Sequence, residues 1–254
     1  MSETPPYAAL ATGYDAVMAH VDYPAWAAYV QSLIRAHRPG AQTVVELGCG
    51  TGAMAVALQP CGEPDGYAYR AFDGSEEMLA VARVVAERAG RAVAFAPLRF
   101  GEPVPGAPAD VVVLVYDGLN YLLELDAVER LLTSIRDALA PGGIAIVDQS
   151  TPANSENHVD GFDDEGSTGA FSYVRRSRYD ELTRLHTNTF DMTFADGRRA
   201  SETHVQRAYT KAEVLGAARA AGLAVVAAYD GFTTDPADET ADRIHWVFSR
   251  ADGA

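Results

Sequence analysis

The feature that most constrains this chain is an apolar run that enters a glycine-rich turn, Val44-Val45-Glu46-Leu47-Gly48-Cys49-Gly50-Thr51-Gly52. A helical pattern from Ala53 to Leu58 follows it directly. Glycines at alternate positions let the backbone turn sharply and let a ligand approach the main chain where a Cβ would clash. The helix behind the turn offers unpaired N–H groups. The sequence therefore predicts a nucleotide-cofactor loop between a strand and a helix.

Two cofactor classes fit this loop. Gly48, Gly50 and Ala53 satisfy the dinucleotide fingerprint Gly-x-Gly-x-x-Gly/Ala. A dinucleotide would place its anionic pyrophosphate beside the carboxylate of Glu46, which would repel it. S-adenosylmethionine (SAM) would place a cationic amino group there, so Glu46 and the additional Gly52 favour SAM. A structural turn that binds no ligand is a further alternative.

Composition limits the protein class. The 254 residues are 48% apolar, which suits one large domain with a sizeable core. The net charge of −15 repels phosphate backbones and argues against a nucleic-acid substrate. No apolar run has membrane-spanning length and residues 1–6 lack a signal-peptide pattern, so we expect a cytoplasmic protein without a membrane partner. Cys49 and Cys61 offer neither a disulfide framework nor metal spacing, and we expect no metal.

Strand and helix patterns alternate through the first 150 residues. Predicted strands cover 43–47, 67–72, 92–96, 110–115 and 144–148, and predicted helices cover 24–37, 53–58, 75–88 and 126–139. We expect Ser75 to cap the third helix and Asp126 with Glu129 to form a capping-box-like start for the fourth. With two later strands at 223–229 and 244–249, the pattern predicts an α/β fold with a doubly wound, mostly parallel, seven-stranded Rossmann-like sheet.

The pattern changes after residue 150. Residues 151–169 are polar and are predicted to form a loop or short helix. Three strand-like segments at 170–179, 185–194 and 200–209, with an Asp-Gly turn at 196–197, predict an inserted antiparallel three-stranded meander. We expect it to cover the site or to build a homodimer contact. The expected division is a lid at 1–40, a cofactor-binding core at 41–150, the insertion at 151–209 and, at 210–254, a helix capped by Thr210 and Glu213 with the last two strands.

Polar residues stand where two predicted strands end. Asp73 ends the second strand, where its carboxylate can accept hydrogen bonds from ribose hydroxyls. The fourth strand ends in Tyr116-Asp117-Gly118-Leu119-Asn120-Tyr121. In an open parallel sheet such strand ends border the ligand crevice. The sequence therefore predicts cofactor and acceptor contacts at this edge of the sheet.

Four motifs together resemble the class I SAM-dependent methyltransferases. They are Val44–Gly52, Phe72-Asp73-Gly74-Ser75-Glu76-Glu77-Met78-Leu79, Tyr116–Tyr121 and Leu139-Ala140-Pro141-Gly142-Gly143. Outer pieces at 14–15, 22–26 and 204–207 are more loosely similar to a bacterial small-molecule subgroup that includes sugar N-methyltransferases. The resemblance implies SAM as cofactor and methyl transfer to a nitrogen or oxygen of a small molecule.

The resemblance also implies roles for particular residues. The implied cofactor contacts are Tyr14, Glu46, Gly48, Cys49, Gly50, Gly52, Asp73, Gly74, Met78, Leu98, Arg99, Tyr116, Asp117 and Tyr121. Glu46 and the glycine loop would hold the methionine part, Asp73 the ribose, and Gly74 with Met78 would lie beside the adenine. Tyr14 and Asp117 are the implied catalytic residues. Because a phenol with a pKa of about 10 is a poor base, we expect Tyr14 to position the reactants.

The resemblance fails at one point. Relatives often carry an acidic residue after the third strand to accept from the adenine amino group, and Phe95-Ala96-Pro97-Leu98-Arg99-Phe100 contains none. Backbone groups near Leu98 and Arg99 are the expected substitute.

Other candidates and alternatives stay open. His158, His186 or His204 could serve as a base, although a single histidine is more often structural. Arg175, Arg176 and Arg178 could bind an anion, although solvated strand arginines are the simpler interpretation. Alternative functions are an RNA or protein methyltransferase, a non-catalytic SAM-binding protein and an NAD-binding oxidoreductase.

Overall fold

A computed structural model describes residues 2–62, 66–158 and 163–251. The strands are β1 (Ser2–Glu3), β2 (Thr43–Leu47), β3 (Ala68–Asp73), β4 (Val93–Pro97), β5 (Ala109–Leu114), β6 (Leu139–Ser150), β7 (Asp164–Ser167), β8 (Phe171–Asp180), β9 (Leu185–Phe194), β10 (Arg199–Arg207), β11 (Leu223–Asp230) and β12 (Arg243–Arg250). The α-helices are α1 (Tyr14–Val17), α2 (Tyr23–His37), α3 (Ala53–Leu58), α4 (Glu76–Arg88), α5 (Leu125–Ala138), α6 (Pro152–His158) and α7 (Lys211–Ala220).

The main sheet has seven strands in the order β11-β12-β6-β5-β2-β3-β4. The β11–β12 and β12–β6 pairs are antiparallel, and the other described pairs in this sheet are parallel. One apolar cluster packs α5 and α7 on one face of the sheet, and a second packs α2 and α3 on the other. The predicted doubly wound, mostly parallel sheet is confirmed, and its central strands are apolar because both of their faces are covered.

The helix starts follow the predicted caps in two cases out of three. The Ser75 hydroxyl accepts from the Met78 N–H at 3.2 Å, and Thr210 forms the full capping box with Glu213. The predicted cap of α5 is wrong, because the N-cap residue is Glu124 and no side chain caps it. Asp126 lies one residue inside the helix, where it pairs with Arg130 at 2.6 Å.

A second sheet has the order β1-β10-β9-β8-β7. Its three long strands are the predicted meander, with antiparallel pairing of β8 to β9 and of β9 to β10. Two short strands extend it: β1 pairs parallel to β10, and β7 pairs with β8. The prediction of a loop or short helix for 151–169 is therefore incomplete, since the described part contains both α6 and β7. The Asp-Glu-Gly-Ser sequence of β7 has no alternation of apolar residues. Its strand conformation therefore depends on its pairing with β8.

The second sheet packs its apolar face against the N-terminal segment and α4. Buried residues on this face contact a cluster that includes Leu10, Tyr14 and Met78. The members from the sheet are Phe171, Tyr173, Phe190, Met192 and Ala200. This packing places the second sheet over the carboxyl-end edge of the main sheet, where ligands bind in folds of this type.

Candidate functional site

The glycine loop joins β2 to α3 through three left-handed residues. Gly48, Gly50 and Gly52 have φ angles of +66°, +52° and +78°. A Cβ on Gly52 would lie 3.1 Å from the Ala82 Cβ and 3.3 Å from the Phe95 ring, whereas one on Gly50 would meet nothing within 4 Å. Position 52 therefore requires glycine because of its close packing against α4 and β4. Position 50 requires glycine because of its backbone conformation.

A cavity of about 580 Å³ lies at the carboxyl ends of β2, β3 and β5. Pockets for small molecules and cofactors usually measure about 300–1,000 Å³. Most of the expected cofactor residues line it: Tyr14, Glu46, Gly48, Cys49, Gly50, Asp73, Gly74, Met78, Leu98, Arg99, Tyr116 and Tyr121. Gly52 and Asp117 do not line it. We call this space the cofactor cavity.

Glu46 presents a buried carboxyl group to the cofactor cavity. Its side chain is 2% exposed, and the Tyr69 hydroxyl donates to Oε2 at 2.9 Å. Burial raises the pKa of Glu46 to about 8, although the bond from Tyr69 opposes the rise. A cationic group placed beside this carboxyl would offset its desolvation. The ammonium of SAM meets that requirement.

Asp73 is held by the backbone of two loops. Its Oδ2 accepts from the Gly50 N–H and its Oδ1 from the Ser75 N–H, both at 2.8 Å. Burial raises the pKa of Asp73, and these N–H groups oppose the rise. Each carboxylate oxygen accepts more than one hydrogen bond, so ribose hydroxyls can still bind.

The loop after β4 presents acceptors rather than donors to an adenine ring. The Leu98 N–H donates to the Asp73 carbonyl at 3.0 Å, and the Arg99 N–H donates to Glu102 Oε2 at 3.0 Å. The Leu98 carbonyl lies close to Gly74. Because the adenine amino group is a donor, a backbone carbonyl at this loop suits it better than an N–H group.

The N-terminal segment closes the cofactor cavity from the side of the second sheet. Pro5, Pro6, Tyr7, Ala8 and Tyr14 line the cavity there. The Tyr7 and Tyr14 rings meet edge to face with their centroids 5.8 Å apart. Burial raises the pKa of Tyr14 well above its ordinary value. Its hydroxyl therefore keeps its proton at neutral pH.

A second cavity of about 310 Å³ adjoins the first. The two share Tyr7, Tyr14, Trp26, Tyr116 and Tyr121. Arginines and histidines are prominent in the rest of its lining: His20, Arg175, His186, His204, Arg207 and Arg243. Strands β8, β9 and β10 supply several of them, so the second sheet builds one wall. We call this space the acceptor cavity.

Tyr116 and Asp117 follow β5 in a strained conformation. Their φ angles are +68° and +61°, a region that non-glycine residues rarely occupy. The Asp117 N–H donates to Asp148 Oδ1 at 3.0 Å. The Asp117 carboxylate pairs with Arg243 at 2.5 Å, and Arg243 also contacts the buried Asp148. Asp117 thus lies on the acceptor cavity, with its charge balanced by Arg243.

The histidines and strand arginines separate into different environments. His158 is exposed and pairs with Asp242, whereas His186 bonds the Ser155 hydroxyl at 2.9 Å and lines the acceptor cavity. Arg175 lines the acceptor cavity, but Arg176 pairs with Asp191 on the surface. Arg178 is not among the residues that line either cavity.

Sequence reasoning missed several residues of the two cavities. These include Tyr7, Trp26 and Arg243, together with Glu202, which lies behind the cavity wall and contacts His204. A signal was available for one of them, because Ala200, Glu202 and His204 occupy alternate positions and therefore one face of β10. All three are buried. Two polar side chains on a buried strand face, here Glu202 and His204, indicate that they take part in a hydrogen-bond network.

Two further structural findings concern metal ions and membrane-spanning helices. Within residues 2–62, 66–158 and 163–251, no His, Cys, Asp or Glu side chains form a group of three that could hold a metal ion. The helices in these same ranges all lack the length and apolar character of a membrane span.

Comparisons with known proteins agree with this geometry. Residues 44–143 match a family described as a methyltransferase domain. The chain is 29% identical over 248 residues to a Geobacillus sp. (strain WCH70) protein named "putative methyltransferase", covering 95% of this chain and 98% of that protein. It is 28% identical over 130 residues to a dTDP-4-amino-2,3,4,6-tetradeoxy-D-glucose N,N-dimethyltransferase of Saccharopolyspora spinosa, covering 50% of this chain and 48% of that enzyme.

One solved structure shows the same fold. It is a SAM-dependent methyltransferase from Clostridium acetobutylicum, which superposes with a TM-score of 0.79 at 19% identity. The match covers 93% of this chain and 95% of that one. The likeness therefore extends over the second sheet as well as the main sheet.

Proposed function

We propose that this chain is a SAM-dependent methyltransferase and that it methylates an amino group of a small anionic acceptor. The observation that carries the proposal is the acceptor cavity of about 310 Å³, which shares five aromatic residues with the cofactor cavity. Its walls come from the second sheet, the N-terminal segment and the end of β5. A space of this size suits a small molecule better than an RNA or a folded protein.

Arg175 supports an anionic acceptor. Its Nε and Nη2 donate to Asn188 Oδ1 at 3.1 and 3.0 Å, which fixes the guanidinium on the cavity wall. A guanidinium binds carboxylates and phosphates through parallel N–H groups. The amino-sugar nucleotide named for the Saccharopolyspora relative combines an amine with phosphates. This chemistry suits the acceptor cavity of the present chain.

The residues of both cavities divide the work of methyl transfer. Bound SAM supplies a methyl group on a positively charged sulfur. Glu46 would hold its ammonium and Asp73 its ribose, while Tyr14 and Tyr116 stand between the two cavities. Holding an amine in line with the methyl group can contribute about 7–11 kcal/mol through positioning alone.

A matched pair of acceptors tests the proposal. The purified protein is incubated with SAM and dTDP-4-amino-2,3,4,6-tetradeoxy-D-glucose, or with the same nucleotide carrying a hydroxyl in place of the amine. S-adenosylhomocysteine formation and a methylated product are expected only with the amine. Arg175→Met should raise the acceptor KM while the SAM Kd stays unchanged. Methylation of the hydroxyl compound alone, or of RNA but no small amine, would contradict the proposal.

A further inference from the structure

We infer that His204, acting through the Tyr121 hydroxyl, takes up the proton that the acceptor loses, and that Glu202 is the positioning residue for His204. The inference rests on the proposed function, because an amine that arrives as an ammonium must lose a proton before its lone pair can react. The observation behind it is a continuous line of hydrogen bonds that leads from the shared wall of the two cavities into the second sheet.

The line has four members. The Tyr7 and Tyr121 hydroxyls are in hydrogen-bond contact. The Tyr121 oxygen lies 3.1 Å from His204 Nδ1, and His204 Nε2 lies 3.2 Å from Glu202 Oε2. Tyr121 lines both cavities, whereas His204 lines only the acceptor cavity. Tyr121 is therefore placed to contact an acceptor, and His204 stands directly behind it.

The chemistry of the end groups sets the direction of every bond in the line. An ionised carboxylate can only accept, so His204 Nε2 must donate to Glu202, and in the neutral imidazole Nδ1 is then left as an acceptor. Tyr121 must then donate to Nδ1, and Tyr7 must donate to the Tyr121 oxygen. A neutral His204 in this tautomer is ready to receive a proton from the side of the acceptor cavity.

Glu202 is suited to hold the imidazole rather than to take the proton. Its side chain is 0% exposed, and it accepts backbone N–H bonds from Tyr7 at 2.8 Å, from Leu10 at 3.0 Å and from Ala9. Although burial opposes it, the bonds from His204 and these amides hold the pKa of Glu202 below its ordinary value. A carboxylate so satisfied stays ionised and stabilises the imidazolium, as in hydrolase triads.

The acceptor proton reaches His204 by two linked transfers. An N–H bond of the acceptor ammonium breaks and its proton moves to the Tyr121 oxygen, while the Tyr121 proton moves to His204 Nδ1. The freed lone pair on nitrogen forms the new N–C bond, and the S–C bond breaks with its electron pair remaining on sulfur. His204 then returns its proton to water through the acceptor cavity.

Two variants test the relay, and the chain offers a matched control. His204→Asn removes the base and Tyr121→Phe cuts the line, and each should lower kcat about 10²-fold, the usual contribution of a general base. The double variant should fall no further, since the two residues act as a unit. His158→Asn is the control, because His158 also pairs Nε2 with a carboxylate but is 50% exposed and lines neither cavity. SAM affinity should stay unchanged in His204→Asn and in His158→Asn, since neither residue lines the cofactor cavity.

A spectroscopic measurement of the His204 tautomer tests the hydrogen-bond line without any acceptor. In ¹⁵N-histidine-labelled protein with S-adenosylhomocysteine bound, ¹H–¹⁵N correlation should show neutral His204 protonated on Nε2, and Glu202→Gln should abolish this preference. A proton on Nδ1, or a cationic His204 at neutral pH, would overturn the relay. Wild-type kcat on an accepted amine in His204→Asn and Tyr121→Phe would also overturn the relay. If the expected tautomer is seen but no amine is methylated, the amine assignment fails, and with it the transfer of an ammonium proton, while the hydrogen-bond line from Glu202 to Tyr121 is supported.

Discussion

Asp73 at the cofactor cavity and Asp117 at the acceptor cavity are held by opposite kinds of partner. Around the cofactor cavity, a polar group such as Asp73 is satisfied by backbone amides of neighbouring loops, including Gly50 and Ser75. Around the acceptor cavity, charged side chains satisfy each other between segments far apart in the chain, as Arg243 does with Asp117 and Asp148. The first arrangement tolerates change in side chains, and the second depends on each partner being present.

The largest expected effect comes from removing the cation of the acceptor wall. Arg243→Met leaves the carboxylates of Asp117 and Asp148 without their guanidinium, and breaking a buried pair of this kind costs about 3–5 kcal/mol. Urea unfolding should show that loss in the free energy of unfolding. The control is Arg176→Met, which removes an exposed pair with Asp191 and should cost about 0–1 kcal/mol. An equal loss in the free energy of unfolding for the two variants would show that the ion pairs of the acceptor cavity do not depend on each partner in this way.

A pH dependence of SAM binding should mark the cofactor cavity. Burial raises the pKa of Glu46 to about 8, so below that pH the carboxyl must release its proton before it can bind the SAM ammonium. The Kd should rise by up to about tenfold for each pH unit below 8, which is the linkage expected for one proton. The ammonium itself deprotonates near pH 8, so affinity should also fall above that value.

Calorimetry in buffers of different ionisation enthalpy measures both the Kd and the proton released. Glu46→Gln should bind SAM more weakly at pH 8, and its Kd should no longer rise as the pH falls below 8. His186→Asn changes a residue of the acceptor cavity and should keep the rise of the Kd below pH 8. An unchanged rise in Glu46→Gln would show that another group controls it.

The smallest effect is expected at the boundary between the cavities. Tyr14→Phe should keep most of the activity, because burial keeps its hydroxyl protonated and its ring does the positioning. Tyr14→Ala should lose much more and raise the SAM KM, since the contact with Tyr7 disappears. Values of kcat/KM with an accepted amine provide the measurement. Equal inactivity of the two variants would assign the hydroxyl an essential role.

The cofactor cavity was predictable from the sequence because its contacts are local. The glycine loop, Glu46 and Asp73 are placed by consecutive strand ends, and each carries its own signal. The acceptor cavity was predictable only in part. Arg175, His186 and His204 were candidates from the sequence and line it. The contact of the Tyr7 amide with the Glu202 carboxylate was not predictable, because it joins segments far apart in the chain. Strand β7 was missed for the same reason, because its partner and not its composition makes it a strand. A cytoplasmic location and a homodimer through the second sheet stay predictions.

The three amides that donate to Glu202 also bear on turnover. Pro5, Pro6, Tyr7 and Ala8 wall the cofactor cavity, so a product cannot leave on that side until this segment moves. Moving this segment removes several hydrogen-bond donors from the buried Glu202 carboxylate at once. Partial opening is therefore unfavourable. The segment should therefore open as a unit, and the amides of Tyr7, Ala9 and Leu10 should exchange their hydrogens with water in a single cooperative event. The segment from Pro5 to Leu10 would then govern product release in addition to its contact with the hydrogen-bond line through Tyr7.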